Sequence, residues 1–533
     1  MKHSQVFELK DMKKSLVKPY SKTQHPEIIN PAVWDLLFID SYIPVIFFYR
    51  PQPEDRQSFA QKVAHLKESL SKALVQHYPF AGRWIKTYDE RVRELQCNDE
   101  GVTFFEALID AEMDAVIGDV DDFRAVPTLG NFDLVGLTNL LFQHDVDFPL
   151  PPIFFQVTGF KCGGISLYGA FSHMATDGKG FFDFMAAWSQ EAMHDKIAVP
   201  PVNDRSMTMS HSDFMDWMNG SLTDSQNSTS GVEVQIIQAN GNSSKRHSFE
   251  TEVNHGTSGV SNEMSGVLDR KHAPNGEAGA APKTDPGAQL RFKVQIPVSP
   301  KTLLVRKEPI QDLKKQAVAE NPEAYVTTVD CITSHIWLCL NSLQPAAEEF
   351  QQSRSRTSRP INQEGRPSVE FVLGTAVEAR KRCHDPPLPG SYSGNCLFLF
   401  QTPRMAPSDL LSKSHLEAAR IFHKTVREIS PETWRNFLKT TMVGLEGFMD
   451  NEYRHILMTS WITFPMYSVE FRHGVGKPFF VGVNMEGGFL PEGYCVFLPP
   501  RPGSPAAANV QFGLQDDMLR ALLSQKNFLS LFH

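Results

Sequence analysis

A long polar segment divides this chain into two apolar-rich parts of similar size, and this division limits how the chain can fold. From Gly220 to Gln289, Gly, Ser, Asn, Thr, Pro and charged residues dominate, and Phe249 is the only aromatic residue. Such a composition cannot bury enough apolar surface to offset the entropy lost on ordering. We therefore predict a disordered linker or insertion over 216–289, with a domain over 1–215 before it and another over 290–533 after it.

The two flanking parts carry enough apolar surface for large cores and show mixed periodicity. Hydrophobic residues make up 41% of the 533 residues, whereas a disordered chain would be poor in them. Apolar spacing predicts helices over Ser58–His77 and Thr327–Leu340, and strands over Ile153–Phe160 and Gly164–Ser172. An arginine-rich polar run, 345–367, is typical of an exposed loop. The chain is therefore predicted to be α/β.

Charge and cysteine usage exclude several classes of protein. The 52 basic and 61 acidic residues give a formal charge of -9, without the basic excess that binding to nucleic acid needs. Charges interrupt the apolar runs near the N-terminus, so we expect no signal peptide and no membrane span. The seven cysteines are scattered without a CxxC pair, which favours free thiols in a reducing compartment. We expect a cytoplasmic protein.

The sharpest chemical motif is HMATDG at 173–178, between a predicted strand and a predicted helix. A histidine at the end of a strand can project into a cleft, and its near-neutral pKa suits His173 to remove a proton from a hydroxyl or amine. Asp177 could fix the loop by pairing with an arginine or by capping the helix, and Gly178 allows a backbone that larger residues resist. Taken alone, the motif is weak, because a structural histidine explains it more often.

Other familiar site patterns are missing from the sequence. There is no GxSxG nucleophile elbow, and GVGKP at 474–478 lacks the spacing of a phosphate loop. No HExxH or Cys/His cluster indicates a catalytic metal. A group transfer without a bound cofactor is compatible with these observations.

The sequence around the motif resembles the BAHD acyltransferases, the plant and fungal acyl-CoA-dependent transferases. The segment Pro151–Trp188 is similar to that family's strand, HxxxDG motif and helix as one block. The resemblance covers nearly the whole chain except the two polar insertions, which make it closer in character to fungal members. Further blocks follow in the family's order: Leu66–Trp84, Cys97–Ala107, Asn203–Ser206, Tyr325–Trp337, Pro386–Asn395 and Thr459–Trp461.

The resemblance implies a fold and an activity. The fold would be two similar domains of the chloramphenicol-acetyltransferase type, with mixed sheets, a long crossover between them and the active-site channel between the domains. The activity would be transfer of an acyl group, with acetyl expected, from acyl-CoA as co-substrate to a hydroxyl or amine of a small molecule, such as a secondary metabolite. The family precedent favours a monomer.

The resemblance also implies roles for individual residues. His173 would be the general base, and no covalent enzyme intermediate is expected. Thr459 would donate a hydrogen bond to the oxyanion, a type of contact that can contribute several kcal/mol. Trp461 would line the acceptor pocket. Asp177 and Gly178 would be structural and would not contact the substrate.

On the CoA side, Thr327, Thr328 and Asn395 match blocks that lie near the CoA channel in the family. Thr327 and Thr328 begin a predicted helix, where backbone N–H groups and hydroxyls could meet phosphate or pantetheine amides. Capping of this helix is the alternative role of the two threonines.

The second family signature, D-F-G-W-G followed by a basic residue and proline, is altered here. The chain reads EFRHGVGKP at 470–478, so that Glu replaces Asp, Val replaces Trp, and Arg472-His473 is an insertion. In the family this carboxylate braces an arginine, and Arg380 or Arg382 would be the partner of Glu470. Glutamate keeps the charge, so the resemblance implies an ion pair at shifted geometry.

Two other functions stay open at this stage. Condensation domains of nonribosomal peptide synthesis share the fold and an HHxxxDG motif but take acyl groups from carrier proteins. Ser172 stands here in place of their first histidine, which argues against that alternative. A non-catalytic binding protein of the same fold is compatible with the altered Glu470 segment, although the intact His173, Asp177 and Gly178 argue against it.

Overall fold

The computed structural model describes the parts of the chain that form the folded elements. Residues 1–219 and 292–533 belong to one compact unit. The predicted linker over 216–289 and the predicted loop over 345–367 both lie entirely outside the described residues, so both stay predictions. The described residues are 9–24, 26–36, 42–87, 93–117, 149–210, 213, 298–321, 323, 325–343, 370–382, 384, 386–435, 453–483 and 493–532.

Within the described residues, the first sheet has six strands and is mixed. β6 and β7 are parallel, and the other neighbouring pairs are antiparallel. The strand order is β1 (Leu9–Val17), β6 (Val102–Ile109), β7 (Ile153–Phe160), β8 (Ile165–Ser172), β3 (Tyr42–Tyr49) and β13 (Phe480–Val483).

The second sheet also has six strands among the described residues and is mixed. β10, β12 and β14 are parallel to one another, and the outer strands are antiparallel to their neighbours. Its order is β11 (Leu397–Gln401), β10 (Glu370–Glu378), β12 (Tyr453–Ser460), β14 (Gly493–Leu498), β15 (Ala508–Gln515) and β9 (Val298–Val305). A small third sheet contains β2 (Ile28–Ile29), β5 (Arg93–Gln96) and β4 (Arg83–Lys86).

Four of the longer described helices pack in pairs beside these sheets, and each of the four begins at a residue whose side chain caps it. α2 (Phe59–Ala73) packs against α4 (Gly178–His194) beside the first sheet, and α6 (Thr328–Asn341) packs against α8 (His415–Arg427) beside the second. Serine or threonine opens three of them with a capping box, which satisfies backbone N–H groups of the first turn. The other described helices are α1 (Val33–Leu36), α3 (Met113–Ile117), α5 (Lys307–Glu320), α7 (Pro407–Leu411), α9 (Asp516–Ser524) and α10 (Lys526–Leu529).

The predicted elements agree closely with the observed ones. The helix predicted over Ser58–His77 ends earlier, at Ala73, and a 3₁₀ turn over Tyr78–Ala81 follows it. β8 is buried along its whole length because a separate apolar cluster covers each of its faces. Among the described helices, none combines the length and the apolar character that crossing a bilayer requires.

One strand from the second half of the chain completes the first sheet. β13 pairs with β3. The side-chain amide of Gln511 on β15 also forms two hydrogen bonds with the backbone of Val483: its oxygen accepts from the Val483 N–H, and its nitrogen donates to the Val483 carbonyl oxygen. The Val483 N–H donates to the Gln511 Oε1 at 3.3 Å. The two halves are therefore joined by main-chain pairing as well as by side-chain packing.

Candidate active site

The HMATDG segment forms a buried turn between β8 and α4. Asp177 is the N-cap of α4, and its Oδ1 accepts a hydrogen bond from the Gly180 N–H at 2.9 Å. The Thr176 hydroxyl donates to the Ser393 carbonyl oxygen at 2.7 Å. The turn is thus held both by its own helix and by the segment that precedes β11.

Asp177 also forms a two-point ion pair with Arg380. The Arg380 Nη1 lies 2.9 Å from Asp177 Oδ2, and its Nη2 lies 3.0 Å from Oδ1, with both side chains buried. Burial alone would raise the pKa of this carboxyl, but the guanidinium and two backbone N–H groups hold it below its ordinary value. Helix capping and arginine pairing, which the sequence offered as alternatives, occur together.

This pairing corrects the role predicted for Glu470. The Glu470 carboxylate lies 3.5 Å from Lys477 on the surface, and the backbone of Glu470 bonds the Ser189 hydroxyl. Arg380 follows β10 and turns toward the start of α4, where Asp177 already presents two oxygens. Arg382 donates to the Val426 carbonyl oxygen. The expectation that Glu470 braces Arg380 or Arg382 is therefore wrong.

His173 is held by Asn395 in one tautomer. The Asn395 Nδ2 donates to the His173 carbonyl oxygen at 2.6 Å and to the Asp35 Oδ1 at 2.8 Å. Both partners are acceptors, so the amide oxygen must face the His173 Nδ1, which lies 3.0 Å away. An oxygen there can only accept, and the proton of the neutral imidazole therefore resides on Nδ1. The Nε2 atom keeps its lone pair.

The surroundings of His173 favour the neutral imidazole. Burial lowers the pKa of His173 below its ordinary value of 6.5, and hydrogen bonds with its own carbonyl and with Asn395, together with the charge of Asp177, only partly oppose this effect. A neutral imidazole with an unprotonated Nε2 is the form that a general base needs.

Asn395 therefore occupies a different place from the one the resemblance implied. It is fully buried, and its amide contacts His173 and Asp35, so it supports the histidine rather than CoA. Thr327 caps α6 through its hydroxyl, and the Thr328 hydroxyl accepts from the Lys314 ammonium at 2.8 Å. The capping alternative is thus observed at Thr327, and CoA binding by either threonine stays a prediction.

Two supporting residues escaped the sequence analysis as site residues. Asp35, on α1, is fully buried and bonds Asn395, while Arg205 bonds Asp35 and the Ala175 carbonyl oxygen. Asp35 stands next to Trp34 at the start of an apolar run. An acid in such a run is seldom fully buried unless it is paired, and this is the signal that could have identified it.

Trp461 lies beside the start of α4. Its ring centroid is 5.6 Å from that of Phe182, and a methyl group added to Gly178 would lie 3.4 Å from the indole nitrogen and 3.1 Å from the Phe464 ring. A small residue is therefore needed at 178. Thr459 lies near the end of β12, opposite Ala376 on β10. Its role as oxyanion donor stays a prediction, as does the acceptor contact of Trp461.

Metal chemistry has no candidate site in the described part of the chain. Among the described residues, no group of three or more His, Cys, Asp or Glu side chains is arranged to hold a metal ion.

Comparison with known sequences places the chain in a family. A sequence model of the Transferase family matches residues 7–250 and 295–525. The shikimate O-hydroxycinnamoyltransferase of Nicotiana tabacum is 25% identical over 95% of this chain and 96% of its own length. A hydroxycinnamoyl-CoA:5-hydroxyanthranilate N-hydroxycinnamoyltransferase of Avena sativa, HHT1, is 26% identical over 93% of this chain and 94% of its own.

Solved structures show the same fold. Vinorine synthase superposes with a TM-score of 0.62 at 19% identity, covering 98% of each chain. TRI101 of F. graminearum, complexed with coenzyme A and T-2 mycotoxin, superposes with a TM-score of 0.60 at 14% identity, covering 95% of this chain and 99% of that one. The predicted α/β fold with two mixed-sheet domains is thus confirmed. Together with the sequence match, these observations show that the chain belongs to the Transferase family of BAHD acyltransferases and is an acyl-CoA-dependent O- or N-acyltransferase.

Proposed function

We propose that the chain moves an acyl group from acyl-CoA to a hydroxyl or amine of a small molecule, with His173 as the general base. The observation that carries this proposal is the tautomer: Asn395 holds the proton on Nδ1 and leaves Nε2 as the basic atom. The lowered pKa of His173 supports the same role, because it keeps the imidazole neutral near pH 7.

The proposed reaction proceeds in two steps without a covalent enzyme intermediate. The Nε2 of His173 takes a proton from the hydroxyl or amine of the acceptor. At the same time, the oxygen or nitrogen of the acceptor attacks the carbonyl carbon of the thioester. The resulting imidazolium keeps its Nδ1–H directed at the Asn395 amide oxygen, which stabilises the positive charge. The tetrahedral intermediate then collapses, the C–S bond breaks, and the imidazolium returns the proton to the CoA thiolate. Thr459 is the proposed donor to the oxyanion.

The relatives indicate which substrates to try first. Their names describe hydroxycinnamoyl transfer to a hydroxyl acceptor, shikimate, and to amine acceptors, 5-hydroxyanthranilate and agmatine. We propose an aromatic hydroxycinnamoyl-CoA as one donor class, because the names of these relatives give the hydroxycinnamoyl group. Acetyl, which the sequence led us to expect, is the competing acyl group. Action on a secondary metabolite, a monomeric state and a cytoplasmic location stay predictions.

Release of free CoA thiol tests the proposal. The purified protein is incubated with p-coumaroyl-CoA or acetyl-CoA, each with and without shikimate, agmatine or 5-hydroxyanthranilate. The His173→Ala variant is expected to lower acceptor-dependent release by about 10²- to 10⁴-fold, because it removes the general base. The matched control is His194→Ala. His194 is exposed at the C-terminal end of α4, the helix that follows the HMATDG turn, so this variant should leave release unchanged.

Two outcomes would contradict the proposal. If the rate of thiol release in His173→Ala stays within about tenfold of the rate in the unaltered protein, a general-base role for this residue is excluded. Absence of release with every acyl-CoA, together with transfer from an acylated carrier protein, would support the condensation-type alternative instead.

A further inference from the structure

Asp35 is a fully buried carboxylate next to the residue that holds His173. Its Oδ1 accepts from the Asn395 Nδ2 at 2.8 Å and from the Asn395 backbone N–H at 3.3 Å. Its Oδ2 accepts from the Ala32 N–H at 2.9 Å and from the Arg205 Nε at 3.2 Å. Both oxygens therefore accept hydrogen bonds, and Asn395 donates two of the four.

The chemistry of a carboxylate makes this contact directional. An ionised carboxylate can only accept, so it attracts the amide nitrogen of Asn395 and repels the amide oxygen. A side-chain amide has two orientations of similar shape, and they differ by exchanging its oxygen and nitrogen. In the orientation that Asp35 and the His173 carbonyl oxygen select together, the amide oxygen faces the His173 Nδ1. In the other orientation an N–H would face Nδ1 and would draw the imidazole proton to Nε2.

Arg205 forms an ion pair with Asp35 and links it to the HMATDG turn. Its Nη2 donates to the Ala175 carbonyl oxygen at 2.7 Å, inside the HMATDG turn, and its side chain is buried. Pairing with a guanidinium is the condition under which a carboxylate stays charged when it is fully buried. The Asp35–Arg205 pair therefore holds Asn395 on one side and the turn that carries His173 on the other.

We propose that Asp35 is a positioning residue for acyl transfer, which acts through Asn395 to keep the imidazole proton of His173 on Nδ1. This inference rests on the proposed role of His173 as the general base. It adds α1, an element far from HMATDG in the sequence, to the groups that determine activity.

Replacement of Asp35 by asparagine tests the inference. Asp35→Asn keeps the size of the side chain but offers Asn395 either an oxygen or an N–H. The His173 carbonyl oxygen is then the one remaining acceptor that favours the observed amide orientation, and we expect the other orientation to become populated. Turnover with an active donor and acceptor pair should fall by about 10- to 100-fold, which is less than complete loss of the base. The KM for the acyl-CoA should stay within about threefold, because the substrate contacts are unchanged.

Asp55→Asn is the matched control. The Asp55 carboxylate is also buried and lies 2.5 Å from Lys62, so this variant breaks an ion pair of comparable burial away from His173. It is expected to lower the melting temperature while turnover stays within about threefold of the unaltered protein. Loss of turnover in Asp55→Asn equal to that in Asp35→Asn would overturn the inference, because the effect would then be one of general stability.

The tautomer itself can be observed by nitrogen NMR. In protein labelled with ¹⁵N-histidine, the signals of His173 are those that disappear in His173→Ala. At pH 8, the unaltered protein should show a protonated Nδ1 and an unprotonated Nε2, and Asp35→Asn should show a substantial Nε2–H population. A structural role alone would not exchange the two signals. An unchanged tautomer in Asp35→Asn would refute the inference even if turnover fell.

Two further variants keep the test decisive. If Asp35→Asn leaves Arg205 unpaired and does not fold, Asp35→Asn/Arg205→Gln removes both charges together and should show the same change of tautomer. In the Asn395→Ala background, Asp35→Asn should lower turnover by less than about threefold, because the two residues act in series. A full additional loss in that background would refute action through Asn395.

The outcomes separate this inference from the proposed function. Activity that survives in His173→Ala would refute the general-base proposal, and the NMR measurement would still decide whether Asp35 sets the tautomer. Loss of activity in His173→Ala with unchanged turnover in Asp35→Asn would refute the role of Asp35 alone.

Discussion

Removal of the Asp177 carboxylate should destabilise the protein more than most single substitutions. Asp177→Ala leaves Arg380, whose side chain is 1% exposed, without its buried charged partner at 2.9 Å. The only charged group that still contacts it among the described residues is the partly exposed Glu378 carboxylate, 3.2 Å from Nη1. It also leaves the Gly180 and Cys396 N–H groups without their acceptor. The Tyr392 and Gly394 carbonyl oxygens continue to accept from the guanidinium, but neither carries a charge.

The size of the effect follows from these contacts. Leaving one partner of a buried ion pair uncompensated costs about 3–5 kcal/mol. Each orphaned buried N–H costs a further 1–3 kcal/mol, roughly, although the three effects are not fully additive. We therefore expect Asp177→Ala to lower the free energy of unfolding by at least about 4 kcal/mol, against a typical total of about 5–15 kcal/mol. Asp177→Ala/Arg380→Met removes the buried guanidinium charge as well and should recover about 2 kcal/mol or more of this loss.

These changes form a double-mutant cycle of the unaltered protein, Asp177→Ala, Arg380→Met and the double variant. Urea denaturation followed by circular dichroism measures the free energy of unfolding of each. A loss below about 2 kcal/mol in Asp177→Ala, or a double variant as unstable as the sum of the single ones, would refute the assignment of a buried ion pair. The pH dependence gives a second check. The pKa of Asp177 is lowered in the folded protein, so its contribution is present above the ordinary value of 3.8 and is lost as the pH falls through the lower folded value.

Three further predictions concern pH, packing and the altered signature. Because burial lowers the pKa of His173, the acidic limb of kcat/KM should have its midpoint below pH 6.5, and a midpoint above pH 7 would contradict the neutral-base assignment. Gly180→Ala should lower the free energy of unfolding by about 1–3 kcal/mol, because its methyl group would lie 2.6 Å from the Ser393 carbonyl oxygen; thermal denaturation measures this. Glu470→Ala should change stability by less than about 1 kcal/mol and leave thiol release unchanged, since the one charged partner of its carboxylate among the described residues is Lys477 on the surface. A larger loss of stability would restore a bracing role.

The local parts of the fold could be predicted from the sequence because their signals are local. Ile153–Phe160 was predicted with its observed bounds, and the helix over Phe59–Ala73 begins at the serine that caps it. The HMATDG turn was placed between a strand and a helix by the change of apolar period on its two sides. Each of these signals lies within a few residues of the element that it specifies.

The partners within the site could not be predicted, because they depend on contacts between distant segments. Arg380 is 203 residues from Asp177 in the sequence, and Asn395 is 222 residues from His173. The resemblance paired Arg380 with Glu470, since a carboxylate at that place braces an arginine in the family. The sequence holds no information on which of two carboxylates a given arginine reaches. Likewise, the sequence pattern of β13 predicts an extended strand, but it does not predict that this strand pairs with β3 in the first sheet.

The way the second half of the chain contacts His173 explains why the site needs both halves. The histidine, its turn and the start of α4 come from the first half, but the residues that fix them, Arg380 and Asn395, come from the second. Asp35 belongs to the first half and bonds Asn395, so the tautomer depends on a contact that exists only when the two halves are packed together. β13 crosses in the same direction and ties the second half into the first sheet. In the proposed mechanism, catalytic competence therefore requires both halves packed together, because Asn395 of the second half holds the imidazole proton of His173 on Nδ1.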